Sequence, residues 1–156
     1  LAISLFILQN YEIAIASLCL AFASLAFYKY HKFPSRIFPG DSGALVLGAT
    51  YGTLAIVGQV EVIAAVAILP AIINSFLFLS SMKRIVEHRE IKNPTFRNDE
   101  LKIQTTDDED APITLLRLII AKKPLSEKRT TIEILKLSMF SGILAVITAF
   151  FMGVEI

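Results

Sequence analysis

The sequence predicts an all-α, multi-pass membrane protein. Four transmembrane helices are expected, with a long cytoplasmic loop containing a small β-hairpin and an amphipathic helix. Three observations predict this. Hydrophobic residues make up 54% of the 156-residue chain, against about 45–50% apolar in a soluble domain. They gather in long uncharged runs rather than at amphipathic spacing, and mean hydropathy is +0.63. Finally, fourteen of the fifteen Lys and Arg residues fall in just two connecting stretches. The net charge of +1, from 15 basic against 14 acidic residues, gives no bulk basicity, so nucleic acid is not an expected partner. The single cysteine, Cys19, excludes a disulfide framework and a Cys-based metal site, and is expected to be a small apolar residue of the first span.

The opening Leu1–Leu8 is apolar but far shorter than the roughly 20 residues a spanning helix needs. No basic region precedes it and no small-residue cleavage site follows, so it reads as the tail of a helix rather than a signal peptide. The chain is therefore expected to be a fragment. The spans follow at about 13–28, 43–58, 62–82 and 134–152. Lys29, Lys32 and Arg36 lie in the first loop, and eleven more basic residues lie in the stretch 83–133. The opposite side offers only Glu12, Glu61 and Glu155. The positive-inside rule then places both basic loops on the cytoplasmic face.

Within the second span, Ala44, Gly48 and Gly52 form a small-residue stripe suited to close helix packing. Pro70 is expected to kink the third span. Asn74, one turn on, is placed to satisfy freed backbone or to hydrogen-bond a neighbouring helix. In the long loop, Thr95–Arg97 and Leu101–Gln104 flank the turn formers Asn98 and Asp99, which reads as a hairpin. Asp107–Asp110 is an acidic run, expected to be solvated. Ile113–Lys123 has helical apolar spacing with basic residues alongside, the pattern of a helix lying on a membrane surface. Thr130-x-x-Glu133 reads as a capping box opening the fourth span.

The chemistry-bearing stretch is Phe33 to Leu45. It places Asp41 at the cytoplasmic mouth of a spanning helix, in a turn where Gly40 and Gly43 leave room for close approach to the backbone. Two readings of Asp41 follow from spacing alone: a plain helix N-cap, or a Mg²⁺ ligand in a protein handling phosphates. His31, among Lys and Tyr residues at the membrane edge, reads as an interfacial anchor.

Gly40-Asp41-Ser42-Gly43-Ala44-Leu45 resembles the Gly-Asp-x-Gly-Ser-Leu motif of the polyprenyl-phosphate N-acetylhexosamine-1-phosphate transferases. That membrane superfamily includes the bacterial phospho-MurNAc-pentapeptide translocase. Pro34-Ser35-Arg36-Ile37-Phe38 looks like the branch represented by the UDP-GlcNAc–dolichyl-phosphate GlcNAc-1-phosphotransferases, in eukaryotic and archaeal forms. Pro70 with Asn74, and a His-Arg pair in a long loop before one last span, follow in the order seen in that branch. The resemblance covers about residues 11–156.

The resemblance implies an active-site role for Asp41, helping to hold Mg²⁺ and a candidate for catalysis. It makes His88 and Arg89 the central pair of an Arg-His-Arg cluster gripping the nucleotide-sugar diphosphate. Arg suits that task through bidentate charge-assisted bonds, and His adds a donor when protonated. Glu87 stands where the eukaryotic cluster has its first Arg. Read without the resemblance, His88-Arg89 is equally a solvated juxtamembrane pair.

The implied activity is transfer of GlcNAc-1-phosphate from UDP-GlcNAc to dolichyl or another polyprenyl phosphate in the lipid bilayer, releasing UMP. That is the first step of lipid-linked oligosaccharide synthesis for N-glycosylation. The implied location is the cell membrane if archaeal, or the endoplasmic reticulum membrane if eukaryotic, with the active site facing the cytoplasm. The family's paired acidic residues and its Asn- and Asp-rich loop belong to an N-terminal half that this sequence does not contain. Phosphoryl transfer needs more than one carboxylate and a His-Arg pair, so the isolated chain is expected to be inactive. The alternative is a non-catalytic membrane subunit or truncated relic that needs a separate N-terminal half. A small transporter is disfavoured, because no charged residue lies at the midplane of any span.

Overall fold

The computed structural model describes residues 1–82, 93–97, 102–106, 111–121 and 123–154. It divides into two units, Leu1–Ala67 with Gly142–Ile156, and Ile68–Ser141.

The first unit contains α1 (Ala2–Ile7), α2 (Tyr11–His31), α3 (Gly40–Val57), α4 (Glu61–Ala67) and the end of the last helix, α7 (Glu127–Val154). Its core is small: Leu5, Ala14, Val60, Ile63, Ala145 and Ala149, with Ala at three of the six places so that helices approach closely. Two tight turns make this possible. Gln9 (φ 60°) and Gln59 (φ 53°) take the left-handed conformation, reversing the chain after α1 and after α3. Gly58 lies where a Cβ would meet Leu5 Cδ2 at 2.8 Å and the Leu54 carbonyl oxygen at 2.9 Å. The Tyr51 hydroxyl donates to the Ala64 carbonyl at 2.8 Å and ties α3 to α4.

Large apolar side chains elsewhere on these helices are exposed, among them Phe22, Leu25, Leu45, Val46, Ile56 and Phe151. Helices that are apolar all round belong in a bilayer or a large core. Several hydroxyls on the long helices are returned to their own backbone four residues earlier: Ser24 to Leu20, Thr50 to Val46, Ser138 to Ile134 and Thr148 to Leu144. Ser4 and Ser17 are buried and without a hydrogen-bond partner among the described residues.

Two helices, α2 and α7, are long and apolar enough to cross a membrane, or three if the pair on either side of Ile68 is one broken span. This supports an integral membrane protein. Four spans were expected. The helix α3 forms where the second was placed, but its 18 residues begin with Gly-Asp-Ser-Gly and include Thr and Tyr, and it is not among the helices long and apolar enough to cross. The kink expected at Pro70 is a full interruption at Ile68. Proline has no N–H to donate, and its ring crowds the carbonyl four residues back, here that of Val66. Helical bonding resumes when Ile72 N–H donates to the Ile68 carbonyl at 3.2 Å.

The second unit contains α5 (Leu69–Met82), β1 (Thr95–Arg97), β2 (Lys102–Thr105), α6 (Leu115–Ile120), β3 (Leu125–Ser126) and the start of α7. Where the sequence suggested a hairpin, β1 and β2 pair antiparallel with Phe96 opposite Gln104. A third strand extends the sheet to the order β1-β2-β3, pairing Ile103 with Leu125. Two residues are too short to show alternation, so β3 carried no sequence signal. The helix expected over 113–123 is shorter, and Pro124 disfavours helical conformation at the residue before it. Thr114 caps α6 by accepting from the Arg117 N–H at 3.2 Å.

Polar side chains of α5 hold this segment in place. Asn74 Oδ1 accepts from the Leu115 N–H at 2.8 Å, and Ser81 Oγ accepts from the Ile113 N–H at 3.0 Å. Asn74 thus serves a neighbouring helix, one of its two expected roles. The Thr130-x-x-Glu133 capping box is corrected, since α7 begins at Glu127. Both residues lie inside the helix, where Thr130 donates to the Ser126 carbonyl at 3.2 Å and Glu133 pairs with Lys136 at 2.8 Å. A hydroxyl that bonds four residues back competes with the capping geometry rather than providing it.

Candidate functional site

Residues 32–39 leave α2 and deliver the chain to α3. The departure is fixed by backbone bonds, with Lys32 N–H donating to Tyr28 (2.9 Å) and Arg36 N–H to Tyr30 (3.0 Å). Around His31 the loop then closes. His31 Nδ1 lies 3.0 Å from the Ile37 carbonyl oxygen. A carbonyl only accepts, so Nδ1 carries the hydrogen and donates. Ser35 Oγ donates to the same oxygen at 3.2 Å and lies 3.5 Å from Nδ1. The imidazole stacks on Phe27 (centroids 5.5 Å, planes 26° apart) and takes Phe38 against it edge-on (5.8 Å, 84°). Sequence reasoning missed this role. Phe27, one turn before His31, was the available signal; the bond to Ile37 has none.

Pro39 then holds the N-cap position of α3 and no side chain caps the helix. Gly40 has φ +62°, open to glycine at no steric cost. Gly43 N–H donates to the Pro39 carbonyl at 3.2 Å, and a Cβ on Gly43 would sit 3.0 Å from Pro39 Cβ. The two glycines of the motif therefore have separate reasons, one conformational and one steric.

Asp41 occupies the second residue of α3 and is exposed, with no hydrogen bond or ion pair among the described residues. The plain N-cap reading is not realised, because its carboxylate caps nothing. The positive end of an 18-residue helix lies here, a place that favours anionic groups. No cluster of three His, Cys, Asp or Glu residues occurs among the described residues. A lone exposed carboxylate is the kind of group of which Mg²⁺ commonly takes one or two, completing its shell with water and phosphate oxygens. Beside this turn runs an apolar groove of about 470 Å³, lined by Ser24, Phe27, Phe38, Pro39, Gly43 and Val46 among others.

His88 and Arg89 lie outside the described residues, as do Glu87 and the acidic run 107–110. Arg117, expected as a basic residue of a membrane-surface helix, has a different task. Its guanidinium donates to the carbonyls of Ala111 (2.6 Å) and Thr106 (3.1 Å), bridging the residues on either side of that run.

Residues 1–59 match the family model of Glycosyl transferase family 4. Over 53 residues, the chain is 45% identical to a phospho-N-acetylmuramoyl-pentapeptide-transferase of Clostridium beijerinckii, covering 34% of this chain and 16% of that protein. A transferase of the same name from Clostridium botulinum is 42% identical over 48 residues, 31% of this chain and 15% of its own length. A protein of Methanocaldococcus jannaschii named as a glycosyltransferase is 30% identical over 149 residues, 94% of this chain and 47% of that protein. The chain thus spans at most about half the length of these relatives. No solved structure matches it. Together the matches support glycosyl transferase family 4; the dolichyl branch suggested by Pro34–Phe38 is not distinguished by them from the bacterial one.

Proposed function

We propose that this chain is the C-terminal membrane portion of a family 4 enzyme that transfers GlcNAc-1-phosphate from UDP-GlcNAc to dolichyl or another polyprenyl phosphate, releasing UMP. An oxygen of the lipid phosphate attacks the sugar-bearing phosphorus. The bond between the two phosphates of UDP-GlcNAc breaks, and UMP leaves with its electron pair. The observation that carries this reading is Asp41: an exposed carboxylate without a hydrogen-bond or ion-pair partner among the described residues, in a glycine turn at a helix N-terminus, within a motif that resembles that of these transferases.

In this reading Asp41 provides one ligand to Mg²⁺, which when bound neutralises charge building up on the phosphates. Gly40 and Gly43 keep the turn free of side chains, so that phosphate oxygens can approach its N–H groups. His88 and Arg89 grip the diphosphate of UDP-GlcNAc, Arg89 through paired bonds to its oxygens. The site faces the cytoplasm, on the side assigned by the basic loops. Asp41 fills one position of the metal shell, and further acidic residues would be needed to complete it.

The test is Asp41→Asn in the intact protein, purified from its native membrane and assayed for UMP release with UDP-GlcNAc and dolichyl phosphate. Loss of about a hundredfold or more in kcat is expected for a ligand to the catalytic metal. Normal turnover in this variant would refute the metal-site assignment. The mass of the native polypeptide separates the two ways of supplying the missing half. A value above 17.2 kDa means the halves share one chain; a value at 17.2 kDa directs the search to a separate partner.

A further inference from the structure

We infer that His31 is a positioning residue for Asp41, setting the path of the chain that presents the carboxylate. The inference rests on the transferase reading above and deepens it. Four contacts converge on this imidazole: the Nδ1–H bond to the Ile37 carbonyl, the Ser35 hydroxyl beside it, the stack on Phe27 and the edge of Phe38. A membrane-edge anchor needs only an amphipathic ring, and none of these contacts is required for that. Here the ring is instead the centre about which residues 32–38 turn, and it is half-buried by them.

Its hold reaches Asp41 through a short, stiff path. Fixing the Ile37 carbonyl and the Phe38 ring fixes the chain just before Pro39, whose ring locks φ. Gly40 then takes its left-handed turn, and Asp41 follows. Only Pro39 and Gly40 separate the anchored Phe38 from Asp41, and Gly43 N–H closes the far side of the turn on the Pro39 carbonyl. Gly40 alone would leave the turn free to swing, so the clamp upstream is what gives Asp41 a defined position. A misplacement of about 1 Å at a reacting centre costs on the order of a hundredfold in rate.

Two variants of the intact protein, reconstituted in lipid nanodiscs, test this. His31→Phe keeps an aromatic ring for stacking and for the interface but removes the donor. His31→Asn removes the ring but places an amide N–H where Nδ1–H was. The first readout is hydrogen exchange of the Arg36 and Gly43 backbone amides, which bond to the Tyr30 and Pro39 carbonyls on either side of the loop. Faster exchange is expected in His31→Phe, with protection regained in His31→Asn. The second is turnover with UDP-GlcNAc and dolichyl phosphate. A fall of about 10- to 100-fold in kcat at unchanged KM is expected for His31→Phe, and rescue by His31→Asn.

Unchanged exchange in His31→Phe overturns the clamp. Faster exchange with wild-type kcat overturns the positioning role, leaving His31 a loop residue only. A wild-type protein that turns over neither substrate refutes the transferase reading instead, and the exchange result then decides the clamp by itself.

Discussion

The turn between α3 and α4 makes a prediction of sign as well as size. Gly58 closes α3 with φ −80° and ψ −4°, values any residue can adopt, so Gly58→Ala meets no backbone objection. By chain entropy alone the change would stabilise by about 0.4–1 kcal/mol. Space decides otherwise. The new methyl would lie 2.8 Å from Leu5 Cδ2, 2.9 Å from the Leu54 carbonyl oxygen and 3.3 Å from Ile13 Cγ2. Leu5 is fully buried in the core and has nowhere to swing. Overpacking of this kind costs about 1–3 kcal/mol. The net expectation is a destabilisation of roughly 0.5–2 kcal/mol, a 2- to 30-fold drop in the ratio of folded to unfolded chain.

Gly48→Ala is the control. It lies inside α3 with nothing within 4 Å of the added methyl, and alanine improves on glycine in a helix by about 0.5–1 kcal/mol. Denaturant titration of the 156-residue chain in detergent micelles, followed by helical circular dichroism, should displace the two midpoints in opposite directions. If Gly58→Ala proves as stable as the parent chain, α1 does not pack on this turn as described.

Three further outcomes are expected. Gly40→Ala should cost about 1–2 kcal/mol from its left-handed φ alone, since no atom lies near the added methyl. Gly40→Asn should cost less, because Asn tolerates that region; thermal melts of the two variants check the order. Asn74→Ala leaves the Leu115 N–H without its acceptor, a loss of about 1–3 kcal/mol, read as faster exchange of that amide. Asn74→Asp keeps the oxygen and should restore protection. Arg89→Lys exchanges a planar fork for a point charge, so KM for UDP-GlcNAc should rise roughly tenfold with little change in kcat, measured by UMP release.

Membrane character was legible because it is written in composition over long windows, where local detail does not matter. Helices α2 and α7 follow from their runs of apolar residues, and the break before α5 from one proline. The start of α7 was not legible. Thr130 and Glu133 have capping spacing, but the hydroxyl turned back to Ser126 once β3 had delivered the chain to the helix early. Similarly, Asp41 was visible through the spacing of its two glycines, while its freedom from capping duty depends on Pro39 taking the N-cap position. Contacts made across a loop, as by His31 with Ile37 or Arg117 with Thr106, join residues whose spacing has no periodicity to detect. They become visible only in three dimensions.

The self-contained hydroxyls of the long helices bear on how such a protein is made. Thr50, Ser138 and Thr148 each spend their one donor on the backbone of their own helix. A segment whose polar demands are met internally can leave the translocation channel for lipid before any neighbour has been synthesised. Biogenesis can then run in two separable stages, helix by helix into the bilayer and only afterwards side by side.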